Sequence, residues 1–189
     1  MYVGEIITAD CANGVGMRVS VFVSGCTNRC AGCFQPETWD FHYGRPYTEE
    51  LENFILRELA HPWYDGLSIL GGEPFEPTNQ VGVFCLTSRV REELPDKSIW
   101  IYTGFRYNRD LAPGGRRHIH ITDAIMRNTD VLVDGPFILA DKDISLDFRG
   151  SRNQRLIDVN STIAKGHIVE YDAIGKEKNL KRLGGAQHG

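Results

Sequence analysis

Three cysteines, Cys26, Cys30 and Cys33, stand within eight residues in the pattern CxxxCxxC, so any fold for this chain must let one loop present three thiols together. The segment before them, Val19-Ser20-Val21-Phe22-Val23, is β-branched and aromatic and stops at Ser24-Gly25. It reads as a buried strand that empties into that loop. The chain holds five cysteines. An odd count with a tight triad does not suit a disulfide framework and points to an inorganic centre in a reducing compartment. Four-iron clusters take four terminal ligands. Three local cysteines would leave one iron open, and an open coordination position is what separates catalytic from structural metal sites. The spacing also admits a zinc site completed by Cys11, Cys85, His42 or His61. A Cys26 nucleophile paired with a distant histidine is a third reading, and it leaves Cys30 and Cys33 unexplained.

Around the loop, strand and helix patterns alternate. Thr48 is placed to cap a helix with Glu49 and Glu50 in its first turn and Leu51, Phe54, Ile55 and Leu59 on one face. Leu67-Ser68-Ile69-Leu70 reads as a strand stopped by Gly71-Gly72. A helix follows from about Asn79 to Leu94, with Val83, Leu86, Val90 and Leu94 in register and Pro95 closing it. Ser98 to Tyr102 is the next strand, ending at Thr103-Gly104. Thr122 is then expected to cap a short helix leading to Val131-Leu132-Val133, which ends at Asp134-Gly135. Weaker strand signals lie at Arg155 to Val159 and His167 to Tyr171.

This alternation predicts parallel strands with right-handed crossovers. A closed eight-stranded barrel usually takes about 250 residues, and the chain has 189. The expected fold is α/β, an open partial (β/α) barrel of mostly parallel strands, with a single domain over residues 1–175. A polar, Gly-rich tail at 176–189 is expected to be mobile. In such architectures the loops at the carboxyl ends of the strands build the site. Here those loops are Cys26 to Cys33, Gly71 to Pro74, Thr103-Gly104 and Asp134-Gly135, and glycine collects on that face.

The charge balance, 21 Lys plus Arg against 25 Asp plus Glu, gives no basic field for nucleic acid. The first residues, Met1-Tyr2-Val3-Gly4-Glu5, lack a charged region followed by an apolar one, and no run approaches the ~18 apolar residues of a membrane span. A soluble, cytoplasmic protein with no membrane association is expected. Gly14-Val15-Gly16 fails as a dinucleotide fingerprint and reads as a turn. Arg116-Arg117-His118-Ile119-His120 reads as a solvated loop, Cys85 as a core residue and Cys11 as a non-ligand. Trp39, Phe41 and Tyr43 fit shielding of the cysteine loop from water and ordinary packing equally well and are assigned no role.

Several segments carry a resemblance. Cys26-Thr27-Asn28-Arg29-Cys30-Ala31-Gly32-Cys33-Phe34, Pro36-Glu37-Thr38-Trp39 and Gly66-Leu67-Ser68-Ile69-Leu70-Gly71-Gly72-Glu73-Pro74 resemble the radical S-adenosylmethionine (SAM) enzymes. Ile99 to Gly104, Asp130 to Phe137 and Phe148 to Gln154 narrow the resemblance to the glycyl-radical activases of anaerobic ribonucleoside-triphosphate reductase. Coverage is roughly residues 1–160. The resemblance implies the open partial barrel of the radical SAM type. It also implies a [4Fe–4S] cluster on Cys26, Cys30 and Cys33, with SAM chelating the fourth iron. Reductive cleavage of SAM would give a 5′-deoxyadenosyl radical that takes a hydrogen from a glycine of the class III reductase. By the same resemblance Gly71, Gly72, Glu73 and Pro74 receive the methionine end of SAM, and Gly32, Cys33 and Phe34 lie beside its adenine. Asn13-Gly14-Val15-Gly16-Met17-Arg18 is similar to a DGPG-x-R or NGPG-x-R segment of the family, with Val15 in place of proline. Flavodoxin or ferredoxin is the implied electron donor. Another glycyl-radical enzyme is the alternative partner, and no catalytic acid–base pair is expected, since the cofactor carries radical chemistry.

Overall fold

The computed structural model describes residues 1–173; the tail expected at 176–189 and the boundary at 175 lie outside them. The apolar runs become the centre of one seven-stranded sheet. Strands β2 (Arg18–Ser24), β4 (Gly66–Gly71), β5 (Ser98–Tyr102) and β6 (Val131–Asp134) lie side by side as three parallel pairs. Strands buried on both faces read as continuous hydrophobic runs, and every residue of β2 is buried.

The flanks differ from expectation. Strand β1 (Tyr2–Asp10) pairs antiparallel with β2 and with the two-residue β3 (Arg45–Pro46), and β7 (Arg155–Asp158) pairs antiparallel with β6. The order is β3-β1-β2-β4-β5-β6-β7, an open mixed sheet. The expectation of mostly parallel strands is therefore corrected: three pairs are parallel and three antiparallel. The cause is connection length. Only Cys11 to Met17 join β1 to β2, and a parallel return needs a crossover of a dozen residues or more. The predicted strand at His167 to Tyr171 is also corrected. It reduces to a bridge of Glu170 to Ile157, flanked by bonds from Asp158 N to Val169 O and Tyr171 N to Leu156 O.

Helices cover one face. In α1 (Glu49–Leu59) Thr48 caps the start, its hydroxyl accepting from Leu51 N at 3.3 Å. Helix α2 (Pro77–Glu93) turns Val83, Leu86 and Val90 inward, each fully buried. Cys85 is exposed, which corrects its assignment to the core. It precedes Leu86 by one residue and so points about 100° away from that stripe. Helices α3 (Thr122–Asn128) and α4 (Val159–Lys165) complete the layer. Thr122 is the first residue of α3 rather than its cap. Its hydroxyl accepts from Ile119 N at 2.8 Å and donates to Gln80 Oε1 at 2.6 Å. Among the described residues no helix is long and apolar enough to cross a membrane.

The main core packs Val19, Val21, Leu67, Ile69, Ile99 and Ile101 of the sheet against Ile55, Leu59, Leu86 and Ile125 of the helices. A smaller cluster around Trp100, Val133 and Leu156 fills the opposite face. Within it Arg18 is fully buried. Its guanidinium bonds Ser68 Oγ (2.7 Å), Val15 O (3.0 Å), Leu67 O (2.7 Å), and the hydroxyl (2.9 Å) and carbonyl (3.0 Å) of Ser98. It also lies 5.4 Å from the Trp100 ring. Burial pulls its pKa down to about 10, which leaves it charged at neutral pH. Arg18 thus locks together the amino ends of β2, β4 and β5 and leaves their carboxyl ends to the site.

Candidate active site

At those carboxyl ends lies a cleft of about 350 Å³ whose wall includes Cys26, Cys30, Cys33, Phe34, Gly71, Gly72, Thr103, Gly104 and Gly135. All four loops expected on this face contribute to it. The cysteine loop is bolted to its surroundings by backbone bonds. Gly25 N donates to Thr38 O at 2.8 Å, Glu73 N donates to Gly25 O at 2.9 Å, and Cys33 N closes a turn onto Cys30 O at 3.1 Å. Gly71 has φ +105°, and a Cβ there would stand 2.8 Å from the Phe22 Cα and the Val23 backbone. A Cβ on Gly72 would stand 2.8 Å from Gly25 O. The two glycines therefore let the β4 turn press against the backbone that leads into the cysteines.

Behind the turn Glu73 is fully buried. Its carboxylate accepts from Thr103 Oγ1 (2.7 Å), Phe75 N (3.0 Å), Gly104 N (2.8 Å) and Asn28 Nδ2 (3.2 Å). Burial raises its pKa to about 7 against those donors, which act to lower it. Asn28 lies in the middle of the cysteine loop, so Glu73 ties that loop to the ends of β4 and β5. Pro74 is buried beside it and Gly32 is exposed under Leu139. Gly32, Glu73 and Pro74 are thus not on the cleft wall, whereas Cys33, Phe34, Gly71 and Gly72 are. Phe34 is 80% exposed at the rim.

Burial, reinforced by the Glu73 charge, pushes the Cys26 thiol up to about 12, and burial likewise raises Cys30. A thiol so protonated is a poor free nucleophile at neutral pH. A cation reverses that logic by displacing the proton. Among the described residues no three His, Cys, Asp or Glu side chains gather around a position for one metal ion. Three thiolates on a four-iron cluster would bind three different irons. None of Cys11, His42, His61 and Cys85 lines the cleft. His42 side chain is 76% exposed, and His61 stacks on Trp63 at 4.3 Å. The cleft wall also carries two buried groups without hydrogen-bond partners, the Tyr102 hydroxyl and Arg149 Nε. A polar ligand in the cleft would satisfy them. The donor set and these two atoms fit a cluster with a polar cofactor beside it.

Two side chains escape sequence reading. Glu76, buried at the start of α2, accepts from Thr27 N at 2.9 Å and from the Thr27 hydroxyl. Arg117 Nη2 donates to Thr27 Oγ1 at 2.6 Å. The expectation of a solvated loop at Arg116 to His120 is corrected for Arg117 and His118, whose side chains are 22% and 20% exposed; Arg117 lies 4.8 Å from the Phe105 ring. Arg116 keeps its solvent exposure. The Gly14-Val15-Gly16 segment is a turn, as expected, with Val15 buried and Asn13 on the cleft wall.

Residues 12–157 match the family described as 4Fe-4S single cluster domain. Anaerobic ribonucleoside-triphosphate reductase-activating proteins are similar over most of their length. That of Vibrio cholerae is 40% identical over 77% of this chain and 90% of its own. That of Escherichia coli K12 is 38% identical over the same shares, and that of bacteriophage T4 is 31% identical over 80% and 90%. The chain belongs to the 4Fe-4S single cluster domain family and, within it, to the anaerobic ribonucleoside-triphosphate reductase-activating proteins.

Proposed function

We propose that this chain is a radical SAM enzyme that activates an anaerobic, class III ribonucleoside-triphosphate reductase by generating a glycyl radical on it. One observation carries the reading: three thiols, a double-glycine turn and two unpartnered polar groups share one cleft in a chain with relatives of that name. Cys26, Cys30 and Cys33 hold a [4Fe–4S] cluster. A cluster held there would supply one-electron reduction of SAM, which breaks its S–C5′ bond, releases methionine and leaves the 5′-deoxyadenosyl group as a radical.

The chain's own residues bind, orient and shield. Gly71 and Gly72 offer close backbone approach to the methionine end of SAM. Cys33 and Phe34 flank its adenine from the cleft wall, with Gly32 at the bend between them and Cys30. Glu73 and Pro74 act from behind: every oxygen of Glu73 is committed to the protein, so it fixes the turn instead of touching the ligand. Tyr102 and Arg149 offer donors to the carboxylate or hydroxyl oxygens of a ligand. The protein's tasks in radical chemistry are position, electronics and exclusion of side reactions, so no acid–base pair is required. The sheet is open, and an open side suits a protein substrate that must reach the cleft with a loop. Flavodoxin or ferredoxin delivers the electron, and the reaction belongs to the cytoplasm.

The test is anaerobic: load the chain with iron and sulfide, reduce it, add SAM, and assay 5′-deoxyadenosine with and without a class III reductase. Product together with a glycyl EPR doublet on the reductase is the expected result. Product without the doublet would favour a different glycyl-radical enzyme as partner. A loaded, reduced chain that yields no product would refute the reading.

A further inference from the structure

We propose that Glu76 and Arg117 form a positioning clamp that holds the amino-terminal arm of the cysteine loop in its ligating shape before metal arrives. The inference rests on the reading of Cys26, Cys30 and Cys33 as ligands. It begins with an unused helix cap. Glu76 is the N-cap residue of α2, in extended conformation, yet its side chain makes no capping bond. The carboxylate, on a residue only 2% exposed, reaches instead to Thr27, 49 residues earlier and directly after Cys26.

The hydrogen bonds around Thr27 form a consistent chain. Its N–H and its hydroxyl both donate to Glu76 Oε1, and the hydroxyl oxygen accepts from Arg117 Nη2. Arg117 Nη2 lies 3.6 Å from Glu76 Oε1 and so balances the buried charge. Both anchors stand on rigid ground. Glu76 leads into α2, and the Arg117 carbonyl accepts from Gln80 Nε2 at 2.8 Å, a side chain with no exposure. The guanidinium rests on fully buried Phe105.

The loop needs such holding. Arg29, between Cys26 and Cys30, has φ +46°, a left-handed conformation that a non-glycine residue keeps only when its surroundings impose it. Just before it, Glu76 fixes Thr27 and Glu73 fixes Asn28. Two buried acids three residues apart on one turn therefore grip consecutive residues of the loop. A loop ordered in advance spares metal binding the cost of ordering it.

The experiment uses the full chain without metal, with hydrogen exchange of residues 26–33 read by mass spectrometry, followed by the rate of anaerobic iron and sulfide uptake. Thr27→Val alters an exposed position and is expected to fold. It and, separately, Glu76→Ala should each speed loop exchange and slow uptake by at least about tenfold, since each removes two hydrogen bonds at Thr27. Arg117→Ala should move both in the same direction by a smaller factor. Thr27→Ser, which keeps the hydroxyl, should restore both to within about twofold of the unaltered chain. Wild-type exchange and uptake in Thr27→Val would overturn the clamp, as would failure of Thr27→Ser to restore them. An unaltered chain that takes up no iron and sulfide would overturn the ligand reading and the proposal with it, whatever the exchange shows.

Discussion

At the scale of single residues, the chemistry divides the five cysteines. Cys26, Cys30 and Cys33 line one cleft, whereas Cys11 and Cys85 are exposed elsewhere. Replacing any one of the three by Ala should remove SAM cleavage and most of the bound iron, measured as 5′-deoxyadenosine and by iron assay. Cys85→Ala should leave both within about twofold, because an exposed helix position contributes little. Retained turnover in Cys30→Ala would contradict the ligand set. The triad was readable because local spacing alone brings its members together. Glu76 and Arg117 were not, because neither carries a local signal of its role: Thr27 meets Glu76 across 49 residues and Arg117 across 90. A run such as Arg116-Arg117-His118 reads as solvated until the Phe105 ring is found beneath both arginines.

At the scale of elements, β2, β4, β5 and β6 were readable because each is a short apolar run with a glycine or threonine stop. Helix α1 was readable from its threonine cap. Strand β1 was missed for physical reasons. It is an amphipathic, partly exposed strand with Gly4 and Glu5 inside it, and two register shifts break its alternation. Without β1 the antiparallel flank could not be foreseen. The elements are joined by polar pins as well as by the core. Arg18→Met should cost about 3 kcal/mol, since a full-size apolar side chain would leave the carbonyls of Val15, Leu67 and Ser98 and the hydroxyls of Ser68 and Ser98 short of a donor. Urea denaturation of the metal-free chain measures it.

The turn after β5 has its own pin. Asp110, 2% exposed, accepts from Arg106 N at 2.8 Å and from Arg109 and Arg116. Burial works to raise its carboxyl, but those bonds outweigh it and hold the pKa below the ordinary 3.8. For a depressed acid, the folded state binds protons less readily than the unfolded one. The stabilisation is therefore present above 3.8 and is lost as pH falls through the lower folded value. Asp110→Asn should lower the thermal midpoint at neutral pH, by on the order of 1 kcal/mol in stability. The gap to the unaltered chain should narrow on acidification, and a gap that stayed constant down to full protonation would refute the assignment.

For the molecule as a whole, the cleft and the core are separate investments of the sequence. Of the loop from Cys26 to Cys33, only Cys26 is buried, and none of its residues belongs to the main hydrophobic core. Stripping the metal with a chelator should therefore leave a folded chain with unchanged far-UV circular dichroism and a cooperative melt. Small metallo-domains that unfold without metal behave oppositely. A random-coil spectrum after metal removal would show that the core does not stand alone. The same separation explains why fold and site were unequally legible: apolar runs announce a core one at a time, whereas the cleft needs four loops at once.

The double fastening of the cysteine loop has a consequence for inheritance and for design. Residues 24–39 and 71–79 are stitched together by Glu73 to Gly25, Asn79 to Ser24, Asn28 to Glu73 and Thr27 to Glu76, while Gly25 to Thr38 and Asn79 to Glu73 tie each segment to itself. Each piece supplies hydrogen-bond partners that the other uses. A graft that moved only the cysteine loop into a new scaffold would carry three thiols and lose the frame that aims them. The transferable unit is the pair, and recombination between the two segments breaks it even when every cysteine survives.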